Sequence, residues 1–486
     1  MSELSQLSPQ PLWDIFAKIC SIPHPSYHEE ALAQHIMAWA KEKGLHAERD
    51  KVGNILLRKP ATKGMENRKP VALQAHLDMV PQKNNDTVHD FTKDPIQPYI
   101  DGEWVKARGT TLGADNGIGM ASALAVLSDD SVEHGPLEVL LTMTEEAGMD
   151  GAFGLQPNWL KADILINTDS EQEGEIYMGC AGGIDFITTF ALQREAVPAG
   201  YQTLKLTIKG LKGGHSGADI HLGLGNANKL LARFLFEQAK DLDLRILDLN
   251  GGTLRNAIPR EGSVTLAIAA DKVDQLKNLS QEYLVTLKNE LAAVEKNLAI
   301  LLEPVATDAK ALTKETQQRL VALLNATPNG VIRMSDAVKG VVETSLNVGV
   351  VTMNENEAEI ICLIRSLIDS GKDYVVSMLT AIGQLAGAET TPKGGYPGWQ
   401  PDPSSPVMAL VRETYQKLFN KTPNIMVIHA GLECGLFKKP YPEMDMVSIG
   451  PTMTGPHSPD EQVHIESVGQ YWQLLTALLK AIPERA

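Results

Sequence analysis

Residues 137–150 read LEVLLTMTEEAGMD, an apolar run that ends on two adjacent glutamates, Glu145 and Glu146. Like charges side by side repel and lose hydration as they enter a protein, so the pair needs a cation or a proton to offset that cost. Other apolar runs end in a similar way: VALQAHLD finishes on His76 and Asp78, and ADILINTD on Asp169. Asp115 stands in TTLGADNGIG, and His457 in TGPHSPDE downstream of the run MDMVSIGP. His76, Asp115, Glu146, Asp169 and His457 make two imidazoles and three carboxylates. Such a set suits zinc, manganese or cobalt, whereas calcium favours oxygen ligands alone. If two ions share it, one carboxylate must bridge. Glu146 then serves as a ligand, and Glu145 takes a proton from metal-bound water. Asp78, two residues beyond His76, is placed to accept the proton of the second ring nitrogen and fix the tautomer.

Each of these residues has an ordinary alternative. An isolated pair of glutamates often begins a solvated loop. Asp115 can cap the helix that starts near Asn116, and Asp169 can be one more acid in a polar loop. His457 can be a turn residue, with His429 and His464 competing for its place. His215 in GLKGGHSG sits between turn-forming glycines, where a loop histidine is unremarkable in kind. The chain contains no H-E-x-x-H, G-x-S-x-G, G-x-G-x-x-G or Walker A pattern, which removes the common signatures of zincins, serine hydrolases and nucleotide binders.

The elements that must position these residues alternate. An amphipathic helix over about 9–20 precedes a proline-rich turn and a second helix closed by Gly44. Strands are then predicted at NILLRK, VALQAHLD, LEVLLTMTEE and ADILINTD, with a helix from Gly117 to Ser128 between them, the pattern of an α/β sheet. In open α/β sheets, sites form at the carboxyl ends of the strands. From about 190 to 385 the texture changes to two successive runs of strand, helix, strand, strand, helix, read here as an inserted α+β lid with an internal duplication. The stretch GGYPGWQPDPSSP reads as the hinge back. The expected division is a first catalytic part at 1–189, a lid at 190–390 and a second catalytic part at 391–486.

The 486 residues are 43% hydrophobic, enough for two cores. Acids outnumber bases 60 to 44, for a formal charge of -16, a field that disfavours nucleic acid or an anionic membrane as partner. Cys20, Cys180, Cys362 and Cys434 form no C-x-x-C pair and suggest a reducing compartment. The start MSELSQLSPQPLWDIF lacks the basic and apolar regions of a secretory signal, and no apolar run reaches membrane-spanning length. A soluble, cytoplasmic protein is expected.

Taken together, QAHLDMVP, GTTLGADNGIG, LTMTEEAGMDGA, INTDSEQEGE, GLKGGHSG and GPHSPDE resemble the M20 metallopeptidases over nearly the whole chain. The resemblance implies a zinc-peptidase-like catalytic domain with a mixed central sheet flanked by helices, and two divalent metal ions per chain. Zinc is the first expectation, with cobalt or manganese as alternatives. It implies that His76, Asp115 and Asp169 hold one ion, that Asp115, Glu146 and His457 hold the other, and that Asp115 bridges. Glu145 matches the general base, Asp78 the acid behind the first histidine, and Asp115–Asn116 a cis peptide. His215 matches a residue that stabilises the oxyanion, and Asn256 and Arg365 match groups that bind the substrate's carboxylate end. ADNGIG and HAGLECG are similar to the dipeptidase branch, which implies dipeptide substrates with a free N-terminus, among them Xaa-His and β-alanyl-His, and a homodimer. The alternatives are an N-acyl amino acid deacylase or carboxypeptidase of the same fold, and a non-catalytic zinc-dependent peptide-binding protein.

Overall fold

A computed structural model describes residues 3–84, 86–239 and 241–485. The chain divides into two compact units, one of Met1–Gly179, Pro401–Val427 and Leu432–Ala486, the other of Cys180–Gln400 and Ile428–Gly431. The first crossing therefore comes ten residues before the expected 189/190 boundary. Its cause is strand Gly182–Ala191, which hydrogen-bonds to Glu357–Ser366 and to Glu389–Tyr396 and so belongs to the second unit. The return at Gln400/Pro401 falls inside the stretch read as a hinge.

The first unit is built on an eight-stranded mixed sheet in the order His46–Arg49, Ile55–Lys59, Leu137–Thr142, Val71–His76, Ile164–Asn167, Asp445–Ser448, Glu175–Cys180, Asn424–Ile428. Its four central strands are parallel, and Val71–His76 lies between Leu137–Thr142 and Ile164–Asn167. Val71–His76, Leu137–Thr142 and Ile164–Asn167 are buried along their whole length, as their mostly apolar sequences require when helices cover both faces of a parallel sheet. The helix Ala114–Ser128 is buried at every residue up to Leu127 and packs on Val71–His76 and on helix Gln10–Cys20. Gly119 allows the helix to approach the chain just beyond strand Ile164–Asn167, because a Cβ there would stand 2.5 Å from the main-chain oxygen of Thr168. Gly119→Ala is expected to destabilise the unit by about 1–3 kcal/mol, by forcing backbone to move in a packed core; thermal unfolding measures it. No helix among the described residues is long and apolar enough to cross a membrane.

The second unit has a nine-stranded sheet, antiparallel throughout, with the strand–helix order expected from the sequence but a different pairing. In a simple tandem duplication, Ala299–Pro304 would pair with Glu357–Ser366. Instead it pairs with Tyr201–Lys209, and Gly182–Ala191 takes the place beside Glu357–Ser366. One half is thus Tyr201–Lys209, Gly262–Ala269 and Arg245–Gly251 with Ala299–Pro304 at its edge. The other is Gly182–Ala191, Glu357–Ser366 and Val342–Met353 with Glu389–Tyr396 at its edge. The first half is inserted into the second, immediately after the second's opening strand.

Candidate metal and catalytic site

Because the parallel strands run side by side, their carboxyl ends come out together, and His76 is register partner of Thr142. The apolar run 137–142 ends there. Glu145 and Glu146 belong not to the strand but to a one-turn helix, Glu145–Gly148, entered through Thr144 in the left-handed region at φ 55°. Successive residues of a helical turn point about 100° apart, which lets neighbouring glutamates face different partners.

Asp78 organises that turn. Its Oδ1 accepts the main-chain N–H of Glu145 at 2.8 Å, and its Oδ2 accepts that of Glu146 at 3.1 Å and the hydroxyl of Ser26 at 2.7 Å. The expected contact with His76 takes a modified form: Nδ1 lies 3.0 Å from the main-chain oxygen of Asp78 and 3.3 Å from its Oδ1. The carbonyl is the closer partner, and the aspartate carboxylate, while still beside the ring, also holds the two glutamate amides.

The other ring nitrogen of His76 faces acids. Its Nε2 is 3.1 Å from Asp115 Oδ1 and 3.4 Å from Asp169 Oδ1. His457, in the left-handed region at φ 61°, brings its Nε2 to 3.2 Å from Asp115 Oδ2 and 3.0 Å from Glu146 Oε2. Asp115 therefore turns one oxygen to each histidine. It does not cap its helix, where Gly113 is the cap residue; Asp115 and Asn116 have non-helical backbone angles, and the peptide between them is cis. Asn116 Nδ2 donates to Thr168 O at 3.1 Å and to Asp169 Oδ1. One ligand atom each from His76, Asp115 and Glu146 lies within 4.8 Å of the others. His76 is buried, whereas the His457 side chain is 52% exposed, so the cluster opens to solvent on the His457 side.

Burial and mutual repulsion leave this cluster short of positive charge. Burial drives the Glu145 carboxyl well above the usual glutamate range, and the charges of Asp169, Glu146 and Glu433 add to it. Burial, with Asp115 beside it, pushes Glu146 up to about 7, and burial also raises Asp169. Burial opposes charge on His76, but Asp169, Asp115 and Asp78 outweigh it and raise the ring well above the usual histidine range. Hydrogen bonds to Asp115 and Glu146 push His457 up to about 11. Divalent cations bound among these carboxylates would relieve the same repulsion.

The donor set is of a kind that fits a divalent metal ion. A tetrahedron with arms of 2.0–2.1 Å has edges of about 3.3 Å, and the four histidine-to-carboxylate separations, 3.1, 3.4, 3.2 and 3.0 Å, cluster around that length. Glu146 Oε1 is in addition buried without a hydrogen-bond partner.

His215, Asn256 and Arg365 lie in the second unit. His215 Nδ1 accepts the amides of Gly217 at 3.2 Å and Ala218 at 2.9 Å, which leaves Nε2 as the ring's donor. Burial, and then Arg365, lower its pKa. Arg365 is 5% exposed; its guanidinium donates to the Tyr396 hydroxyl at 3.1 Å, and its Nε has no partner. Asn256 is exposed beside the strand pairing of His215 with Ala257, and its main-chain oxygen accepts the amide of Ser216. His429, a competitor for the place of His457, instead bonds Ser345 Oγ through Nε2 at 2.7 Å within the second unit. Burial, with Arg365 adding to it, brings its pKa down to about 3.

Two buried acids that act on this cluster, Glu433 and Glu461, were not singled out in the sequence. Glu433 accepts from Gln74 Nε2 at 2.6 Å and Thr142 Oγ1 at 2.9 Å beneath the strand ends, and burial pushes it up to about 8. Glu461 accepts four consecutive main-chain amides from Leu112 to Asp115. For Glu461 the only local signal was its place four residues after His457.

The chain is 79% identical over 485 residues to the cytosol non-specific dipeptidase of Escherichia coli (strain K12), covering 100% of both. The solved aminoacylhistidine dipeptidase from Vibrio alginolyticus aligns with a TM-score of 0.92 at 63% identity, over 100% of this chain and 99% of that one. The aminopeptidase PepT from Bacillus cereus ATCC 10987 shares the fold at 15% identity and a TM-score of 0.57, over 98% and 99% of the two chains. Residues 72–481, which contain every candidate ligand from His76 to His457, match Peptidase family M20/M25/M40, and the chain belongs to that family.

Proposed function

We propose that this chain is a cytoplasmic metal-dependent dipeptidase that hydrolyses the peptide bond of dipeptides with a free amino terminus, Xaa-His and β-alanyl-His among them, with a homodimer as its assembly. The observation that carries the reading is Asp115, whose two oxygens face different histidines beside a buried glutamate, Glu145, that shares the cluster's field. Identity of 79% and 63% over whole chains to proteins named as dipeptidases supports the same reaction here.

His76, Asp115 and Asp169 would hold one cation, and Asp115, Glu146 and His457 the other. We take zinc as the metal, with cobalt or manganese as substitutes. Divalent cations bound there supply Lewis acidity, polarising the peptide carbonyl and bringing the pKa of a water from 15.7 towards about 7. Glu145 takes up the proton of the attacking water and returns it to the leaving amine. Asp78 fixes the start of the turn on which Glu145 sits. His215, whose free donor is Nε2, is assigned to the developing oxyanion. Arg365 and Asn256 are assigned to the substrate's carboxylate.

Carboxylates at the cluster favour a free ammonium at the substrate's other end. Alanyl-alanine is therefore expected to be cut with a kcat/KM on the order of 10²-fold or more above that of acetyl-alanyl-alanine, since a buried polar site left unpaired rejects the analogue strongly. Trialanine is expected to be poor as well. Steady-state hydrolysis of the three compounds, with metal analysis of the same preparation, tests the reading. Equal rates on free and acetylated dipeptide would assign a deacylase, and binding without turnover a peptide-binding protein.

A further inference from the structure

Glu461 is 2% exposed, and both its carboxylate oxygens are occupied by main chain. Oε2 accepts the amides of Leu112 at 2.8 Å and Gly113 at 3.0 Å, and Oε1 those of Ala114 at 2.8 Å and Asp115 at 3.2 Å. Consecutive amides turn towards one anion readily where the backbone alternates its hand. Gly113 supplies that turn, with φ 71° and ψ 27°. The first amides of a helix have no partner within it, and Gly113 has no side chain to cap helix Ala114–Ser128, so a residue about 346 positions away in sequence serves instead.

Glu461 also belongs to the segment that carries His457. Ser458 Oγ donates to Gly455 O at 2.8 Å, Asp460 N to Ser458 Oγ at 3.2 Å and Glu461 N to Ser458 O at 3.1 Å, a turn closed on itself. One end of this turn places the His457 ring 3.2 Å from Asp115 Oδ2, and the other grips the Asp115 backbone. The two residues are thereby set relative to each other by a link that involves neither side chain.

We infer that Glu461 is the positioning residue of the bridging carboxylate: it holds the Leu112–Asp115 turn so that Asp115 divides its oxygens between His76 and His457, and it ties that turn to the segment bearing His457. The inference rests on the two-cation reading proposed above. Groups that orient metal ligands from behind are typically worth 10–100-fold in metal affinity. Glutamine keeps the size of Glu461 but replaces one acceptor oxygen with an NH2, which faces two amides it cannot accept from.

Zinc binding to the full-length protein, by chelator competition and by metal content after dialysis, tests this beside thermal unfolding. The control is Glu138→Gln. Glu138 is a buried acid of the same unit that also accepts two main-chain amides, those of Lys161 and Ala162, but stands at the opposite end of strand Leu137–Thr142 from the cluster. Glu461→Gln is expected to bind zinc about 10–100-fold more weakly and to retain fewer than two ions, whereas Glu138→Gln unfolds at lower temperature with wild-type zinc affinity. Should Glu461→Gln fail to fold, Glu461→Asp, which keeps both oxygens but is one methylene shorter, is expected to show the same loss. Wild-type zinc affinity in the folded variant, with only its stability reduced, would overturn the inference alone. A wild-type chain that takes up no divalent cation would overturn it together with the two-cation reading.

Discussion

Glu145→Gln is expected to lower kcat on alanyl-alanine by about 10²–10⁴-fold while leaving metal content at the wild-type level. The amide matches the carboxylate in size, so packing is conserved and the main-chain bond from Glu145 to Asp78 persists. It cannot accept and return a proton at neutral pH, which removes the step assigned to this side chain. Glu146→Gln is the companion, because the two residues adjoin and differ in their surroundings. Glu146 Oε2 lies 3.0 Å from His457 Nε2, whereas the acids and the histidine that set the field on Glu145 are His76, Asp169, Glu146 and Glu433. Glu146→Gln should lose metal from one site, and added zinc should restore part of its rate. Metal analysis beside steady-state kinetics separates the two variants. If Glu145→Gln lost metal and Glu146→Gln did not, their roles would be exchanged.

Asp115→Asn is expected to have the larger effect on metal, leaving at most one ion per chain and reducing kcat/KM by more than about 100-fold, the upper end of what removal of a merely supporting group costs. Asparagine has one oxygen where the aspartate turns one to His76 and one to His457. Its NH2 would face one of the two histidines and offers no lone pair to a cation. The charge lost is also the one that most favours cations at the centre of the cluster, since Asp115 is the residue paired with both rings. A variant that keeps two tightly held zinc ions would remove Asp115 from the bridging position.

These expectations could be written from the sequence because the ligands sit where local signals are strongest. The strands 71–76, 137–142 and 164–167 are mostly apolar, with Gln74 and Glu138 as polar exceptions inside them, as suits strands buried on both faces, and each stops on or just before polar residues. Parallel pairing then brings His76, Glu146 and Asp169 to one edge, and a buried helix directly below supplies Asp115. The motifs that surround these residues carried the family resemblance as well. In the second unit, the order of strands and helices was equally readable from apolar alternation and turn residues.

What the tertiary structure alone decided concerns pairing between distant segments. Nothing local to Gly182–Ala191 says that it will lie beside Glu357–Ser366, so the two halves of the second sheet looked like a tandem repeat, whereas one is inserted into the other. The same holds at the site. Asp78 stands beside His76 as its place in the sequence suggested, but that its carboxylate also holds the amides of Glu145 and Glu146 depends on the short helix that follows the strand end at Thr142. Glu461 carries no local signal beyond its place shortly after His457, yet its carboxylate completes a helix start 346 residues away. Side-chain type and periodicity determine which segments are buried and which residues end them, since both are properties of neighbours along the chain. Which amide meets which carboxylate depends on how the strands are ordered across the sheet, and that order is settled only when the whole core packs.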